Sequence, residues 1–213
     1  STANIADTFV NNTSTAQTAT YSVTATAPSL LGGCVGVAKN VVITVYPRSL
    51  INSSLTKTVC SGSALGYTIT SNVASSTFTW TRAVVAGISN AIGSGSGSSI
   101  NETLINTTGS AIDVSYILTP KGPSPGNCDG TPSTLVVTVN PLPVAIATPS
   151  AQEICSGTSN SPIILSSSLI GTTFDWTRTS PAGITTSQPA SGSSVAIGGS
   201  IPSASFANST TSP

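Results

Sequence analysis

The residues of this 213-residue chain that could do chemistry are few: four cysteines, six acids, six bases and no histidine. A serine or cysteine nucleophile needs a base beside it. Without histidine only Lys39, Lys57 or Lys121 could serve, and none occupies a position that recurs in the sequence. Glycosidic chemistry needs two carboxylates facing across a cleft, whereas Asp7, Glu102, Asp113, Asp129, Glu153 and Asp175 are scattered. The same scatter gives calcium no loop of clustered oxygens, and no C-x-x-C spacing offers a zinc site. The chain is therefore expected not to be an enzyme, with no catalytic residue, cofactor or metal.

Of the three arginines, two recur at equivalent positions. Arg82 and Arg178 each follow a tryptophan, Trp80 and Trp176, by two residues, which in a strand places both on one face. The plainer reading packs the arginine stem on the indole with its head at the rim. The functional reading is a ligand-binding arginine beside an aromatic platform. A pair between Arg82 and Glu102 is open to the complete unit, but Pro202-Ser203 stands in the corresponding region further on, so such a pair is not general.

The elements that position these residues recur. Val59-Cys60-Ser61-Gly62 returns as Ile154-Cys155-Ser156-Gly157, and Thr77-Phe78-Thr79-Trp80-Thr81-Arg82 as Thr173-Phe174-Asp175-Trp176-Thr177-Arg178. Ile5–Asn11 matches Ile100–Asn106, Gly33-Cys34-Val35-Gly36 matches Asn127-Cys128-Asp129-Gly130, and Val41–Val45 matches Leu135–Val139. A fixed period of this length marks an array of one supersecondary unit. Prolines follow the last strand of each unit, at Pro47 and at Pro141 with Pro143. They stop ladder pairing there and stiffen the link. We therefore expect residues 1–46 to be the C-terminal half of an Ig-like repeat, 47–141 a complete repeat, and 142–213 the N-terminal part of a further one. With no initiator methionine, the chain reads as a processed product or a fragment.

Within a unit the apolar residues alternate with period two, the mark of half-buried strands. Phe78 and Trp80 share a face, as do Phe174 and Trp176; Val114, Tyr116 and Leu118 alternate, matched by Ala19, Tyr21 and Val23. These aromatics form the expected core signature. Six or seven short strands around one buried tryptophan predict an all-β chain of tandem Ig-like β-sandwich repeats. The glycine- and serine-rich stretch 84–99 reads as a loop with a weak edge strand.

The order V/I-C-S-G, T-F-x-W-T-R, L-I-N-T-T, V-S-Y-I-L-T-P, G-N-C-x-G, V-V-T-V-N-P-x-P resembles the PKD-like, Ig-like tandem repeats of Bacteroidetes-type cell-surface adhesins. That resemblance implies a secreted protein exported by the type IX system, with a structural or adhesive role.

The cysteines recur once each per unit. The simplest pairing is one bond per complete repeat, Cys60 to Cys128, leaving Cys34 and Cys155 to the missing halves. In ordinary Ig order, however, the first turn and the last hairpin lie at opposite ends of the sandwich, so the bonds could instead staple neighbouring repeats or chains. Asn11, Asn12, Asn52, Asn101, Asn106 and Asn208 each open an N-x-S/T triplet, which chance also supplies in so Ser- and Thr-rich a chain.

Charged residues are only 6% of the chain and the formal net charge is zero. That is far below the ~25% charged of an average domain. It excludes nucleic acid, which demands clustered Lys and Arg, and no apolar run is long enough to span a bilayer as a helix. The expected partners are neighbouring repeats or identical chains, forming an extracellular stalk or filament that could polymerise head to tail by strand complementation. The alternative is a non-catalytic carbohydrate-binding or spacer module of a secreted enzyme, with surface glycans as partner.

Overall fold

In a computed structural model, which describes residues 5–186 and 188–210, the regular secondary structure is almost wholly short strands, and the chain divides into two units, residues 1–140 and 141–213. The first opens with an antiparallel hairpin, β1 (Gln17–Val23) with β2 (Lys39–Val45), its connection holding one 3-10 turn at Ser29–Leu31. Seven strands follow: β3 (Thr56–Cys60), β4 (Tyr67–Thr68), β5 (Thr77–Arg82), β6 (Gly93–Ser96), β7 (Ser99–Ile100), β8 (Ile112–Lys121) and β9 (Ser133–Asn140). They form a five-stranded sheet in the order β3-β9-β8-β5-β6 and a small sheet β4-β7. Among the described residues only the β3–β9 pairing is parallel.

The alternation of apolar residues becomes burial. In β8 every second residue is sealed, Val114, Tyr116 and Leu118, and in β9 Leu135, Val137 and Val139 are sealed likewise. Phe78 and Trp80 of β5 join them, and Leu65, Tyr67, Ile69, Ile100 and Leu104 close the core from the side of the small sheet. This is the β-sandwich that the period-two pattern predicts. The stretch 84–99 contains β6, a genuine edge strand of the large sheet.

The second unit contains β10 (Ile146–Thr148), β11 (Ile163–Ser166), β12 (Thr173–Thr177), β13 (Ile184–Thr186), β14 (Ser191–Ala196), β15 (Ser200–Ile201) and β16 (Phe206–Asn208). Its pairings reproduce those of the complete sandwich: β12 with β14 answers β5 with β6, and β11 with β15 answers β4 with β7. Residues 151–155, the sequence equivalent of β3, form no strand. The reason is physical: β3 is held by the ladder it shares with β9, and among the described residues of the second unit no strand answers β9.

The cysteines require a correction. All four are free, and Cys60 and Cys128 cannot bond within the repeat. Cys60 lies level with Asn140, the last residue of β9, while Cys128 precedes Ser133, the first. A strand of that length separates them by roughly 20 Å or more, against about 7 Å at most for bridged Cα atoms. The difficulty of opposite sandwich ends, visible in the Ig order, decides the matter.

Candidate functional site

Arg82 ends β5, one strand period beyond Trp80, and its side chain turns inward under the rim of the core. It is 1% exposed, so the guanidinium does not snorkel to the rim as its sequence position suggests. A buried arginine must find acceptors, and here Glu102 supplies them. Arg82 Nε donates to Glu102 Oε2 at 2.9 Å and Nη2 to Oε1 at 3.0 Å, a bidentate fork. Nη2 also donates to the Ala91 carbonyl at 2.7 Å. The Tyr116 hydroxyl donates to Glu102 Oε2 at 2.7 Å, and the guanidinium carbon lies 6.0 Å from the centre of the Tyr116 ring. Trp80 and Tyr116 pack with ring centres 5.7 Å apart.

The electrostatics follow from this geometry. The Arg82 hydrogen bonds pull the Glu102 carboxyl below its ordinary pKa, against the opposing effect of burial, and the Tyr116 hydroxyl adds to the lowering. Burial, with the neighbouring carboxylate second, pushes the Tyr116 phenol upward. Glu102 in turn raises Arg82. A carboxylate saturated in this way, with its acid-base capacity tied to a structural cation, is a clamp between β5, β8 and the segment after β7.

The same constellation is split elsewhere. Beside the β1–β2 hairpin Tyr21 donates its hydroxyl to Asp7, the counterpart of Glu102, with no arginine beside them, and this bond raises the Tyr21 phenol. Phe9 meets Tyr21 edge-on at 6.3 Å. In the second unit Phe174 is buried and Trp176 half-buried, and Arg178 reaches the Gln188 carbonyl with Nη2 at 2.9 Å, as Arg82 reaches Ala91. Its guanidinium lies 5.5 Å from the Phe206 ring centre. The carboxylate position there is Ala204: Asn160 donates its backbone N–H to the Ala204 carbonyl as Leu65 does to that of Glu102.

A second polar cluster explains motifs that look like glycosylation triplets. Asn106 donates from Nδ2 to the carbonyls of Val139 and Ser110, while its Oδ1 accepts from the Thr108 N–H. Asn11 does the same to Val45, Thr15 and Thr13, and the Asn208 Oδ1 accepts from the Thr210 N–H. Ser61 and Ser156, from the two C-S-G motifs, accept from the N–H of Asn106 and Asn208 through Oγ. Each asparagine thus pins a turn, its side chain completing hydrogen bonds that the backbone leaves open.

An apolar sheet face and a strand edge stand open. The face of β1–β2 that repeats the sealed face of β8–β9 leaves Val23 49% and Val41 47% exposed, where Leu118 and Leu135 are fully buried. Residues Ile5, Ala6, Asp7 and Phe9 line a hollow over this face with Tyr21, Val23, Val41 and Ile43. In the second unit, β12 pairs with β14 alone, and the edge that β5 gives to β8 is free of any strand among the described residues.

Among the described residues there is no cluster of three metal-ligating side chains, and no helix is long and apolar enough to cross a membrane. The PKD-like domain family matches the chain over residues 1–49 and 57–143. The chain belongs to the PKD-like domain family. Such PKD-like modules are generally non-catalytic, structural and typically extracellular. No curated protein matches the sequence.

Proposed function

We propose that this PKD-like chain is a structural and adhesive segment of an extracellular bacterial surface protein of the type IX-exported kind. In this reading the repeats are 1–46, 47–141 and 142–213. They stack through proline seams into a stalk or filament, and each open half is sealed by the complementary half of another repeat. What supports it is one observation: β1–β2 exposes the apolar face that β8–β9 buries, while β12 lacks the neighbour that β5 finds in β8. The two deficits are complementary. Burying such a face and pairing such an edge supplies apolar area and main-chain hydrogen bonds together.

In the head-to-tail form, a second copy brings β1–β2 to β12. By repeat equivalence Trp176 then stands opposite Val23 and Arg178 opposite Tyr21, as Trp80 stands opposite Leu118 and Arg82 opposite Tyr116. Contacts of this heterologous kind propagate into open polymers. Sedimentation velocity and negative-stain microscopy of the chain over a concentration series test it. End-to-end rods that grow with concentration are expected. Particles of a single chain at every concentration would overturn the head-to-tail form. Trp80 and Tyr116 are buried and offer no platform to a sugar, so the carbohydrate-binding reading gains no support from them.

A further inference from the structure

Arg178 Nε is the one buried side-chain nitrogen or oxygen, among the described residues, that has no hydrogen-bond partner. Beside it lies a cavity of about 180 Å³ lined by Arg178, Ala204, Trp176, Gln188, Ile163 and Phe206. The complete repeat shows what belongs in this space. Four backbone bonds fix the equivalence of the two segments: Leu65 N to Glu102 O and Asn160 N to Ala204 O, Gly62 N to Leu104 O and Gly157 N to Phe206 O. Glu102, which grips Arg82 through both oxygens, therefore corresponds to Ala204.

We propose that the cavity beside Arg178 is a binding site for a carboxylate, of the size of acetate or of an acidic side chain's tip. What separates glutamate from alanine is a methylene and a carboxylate, which is the skeleton of acetate. The arginine is already set to receive it: Gln188 O holds Nη2 at 2.9 Å and the Phe206 ring supports the guanidinium at 5.5 Å, leaving Nε–H directed at no acceptor. Neither acid of this unit fills the role. Asp175 lies on the opposite face of β12 from Trp176 and accepts the Ser194 N–H, and Glu153 forms no ion pair among the described residues. Arg178 is half-buried and only its Nε is shut away from solvent; a water molecule could offer an acceptor, but an anion adds paired, charge-assisted bonds to the guanidinium. The same chemistry could come from a free carboxylate or from an acidic side chain of a second copy.

The test follows the Arg178 Nε–Hε cross-peak of the whole ¹⁵N-labelled chain by NMR. Sodium acetate should move it saturably, in the millimolar range expected for so small a ligand, whereas sodium chloride at equal ionic strength should not. Ala204→Glu supplies the carboxylate internally, so its Arg178 peak should start displaced and no longer respond to acetate. Arg178→Lys, which keeps the charge and loses the fork, should weaken acetate binding, read from the shifts of the Phe206 and Ala204 amides, by tenfold or more. A peak displaced without acetate that returns on dilution would mark a second copy as the carboxylate source. An Nε–Hε peak that responds equally to acetate and chloride would overturn the site. So would acetate binding undiminished in both variants.

Discussion

Gly95 of β6 stands against the indole of Trp80, so close that a Cβ there would come to 2.7 Å from the ring atoms. Gly192 of β14 stands the same way against Trp176. The glycines are thus required by close approach, where the strand crosses the face of a large aromatic. Gly95→Ala should destabilise the complete sandwich by about 1–3 kcal/mol, as overpacking does, while the same change at Gly97, which has nothing within 4 Å of a Cβ, acts only through its backbone angle. Thermal unfolding of the two variants, followed through tryptophan fluorescence, checks this.

Removing the carboxylate from the Arg82 clamp leaves a buried, unpaired cation. Glu102→Ala should cost about 3 kcal/mol, toward the low end for a broken buried pair because Glu102 keeps a fifth of its side chain exposed. Urea unfolding midpoints give the value.

The clamp also sets a pH dependence. Glu102 titrates lower in the folded chain than unfolded, chiefly through Arg82. Its contribution is complete above the ordinary glutamate pKa of about 4.3 and is lost as pH falls through the lower folded value. Tyr116, raised mainly by burial, has the opposite sense: its contribution is present below about pH 10 and is lost above it. Stability measured against pH should therefore fall at both ends, and Glu102→Gln should flatten the acid limb.

Asn106 donates to Val139 O inside the sandwich and holds the turn at Ser110. Asn106→Ala should cost about 2–3 kcal/mol by leaving buried carbonyls unpaired. Asn12→Ala, which alters an exposed side chain, should leave stability within about 0.5 kcal/mol. Chemical denaturation of both variants separates a turn-pinning asparagine from an incidental triplet.

The strands were legible because burial on one face leaves an alternating record: Val114, Tyr116 and Leu118, or Leu135, Val137 and Val139, have no other economical reading. The fold class and the family follow from that record and from the repeat. Gly95 shows what such a pattern hides. Glycine and serine carry no alternation, so β6 reads as low complexity, and its purpose is visible only beside Trp80. The clamp was half legible. The recurrence of Asp7 and Glu102 marked the position, but the inward turn of Arg82 depends on the Ala91 carbonyl and on Tyr116, which no spacing encodes. For Cys60 and Cys128, recurrence suggested a bond that strand direction forbids.

Residues 5–9 raise a further consequence of repeat completion. They lie over the same β1–β2 face that Ile201–Asn208 of a joining chain would cover. In the head-to-tail form they compete with it. Deleting residues 1–12 should therefore strengthen end-to-end association, seen as longer particles at equal concentration, whereas Val41→Asp on the shared face should abolish it.

Amide hydrogen exchange, followed by mass spectrometry as chain concentration rises, addresses the sealing of half-repeats most directly. Peptides from β8 and β9 should be protected throughout, and those from β1, β2 and β12 should gain protection together as chains meet. If β1, β2 and β12 exchange at the same fast rate at every concentration, the open halves do not complete one another between chains.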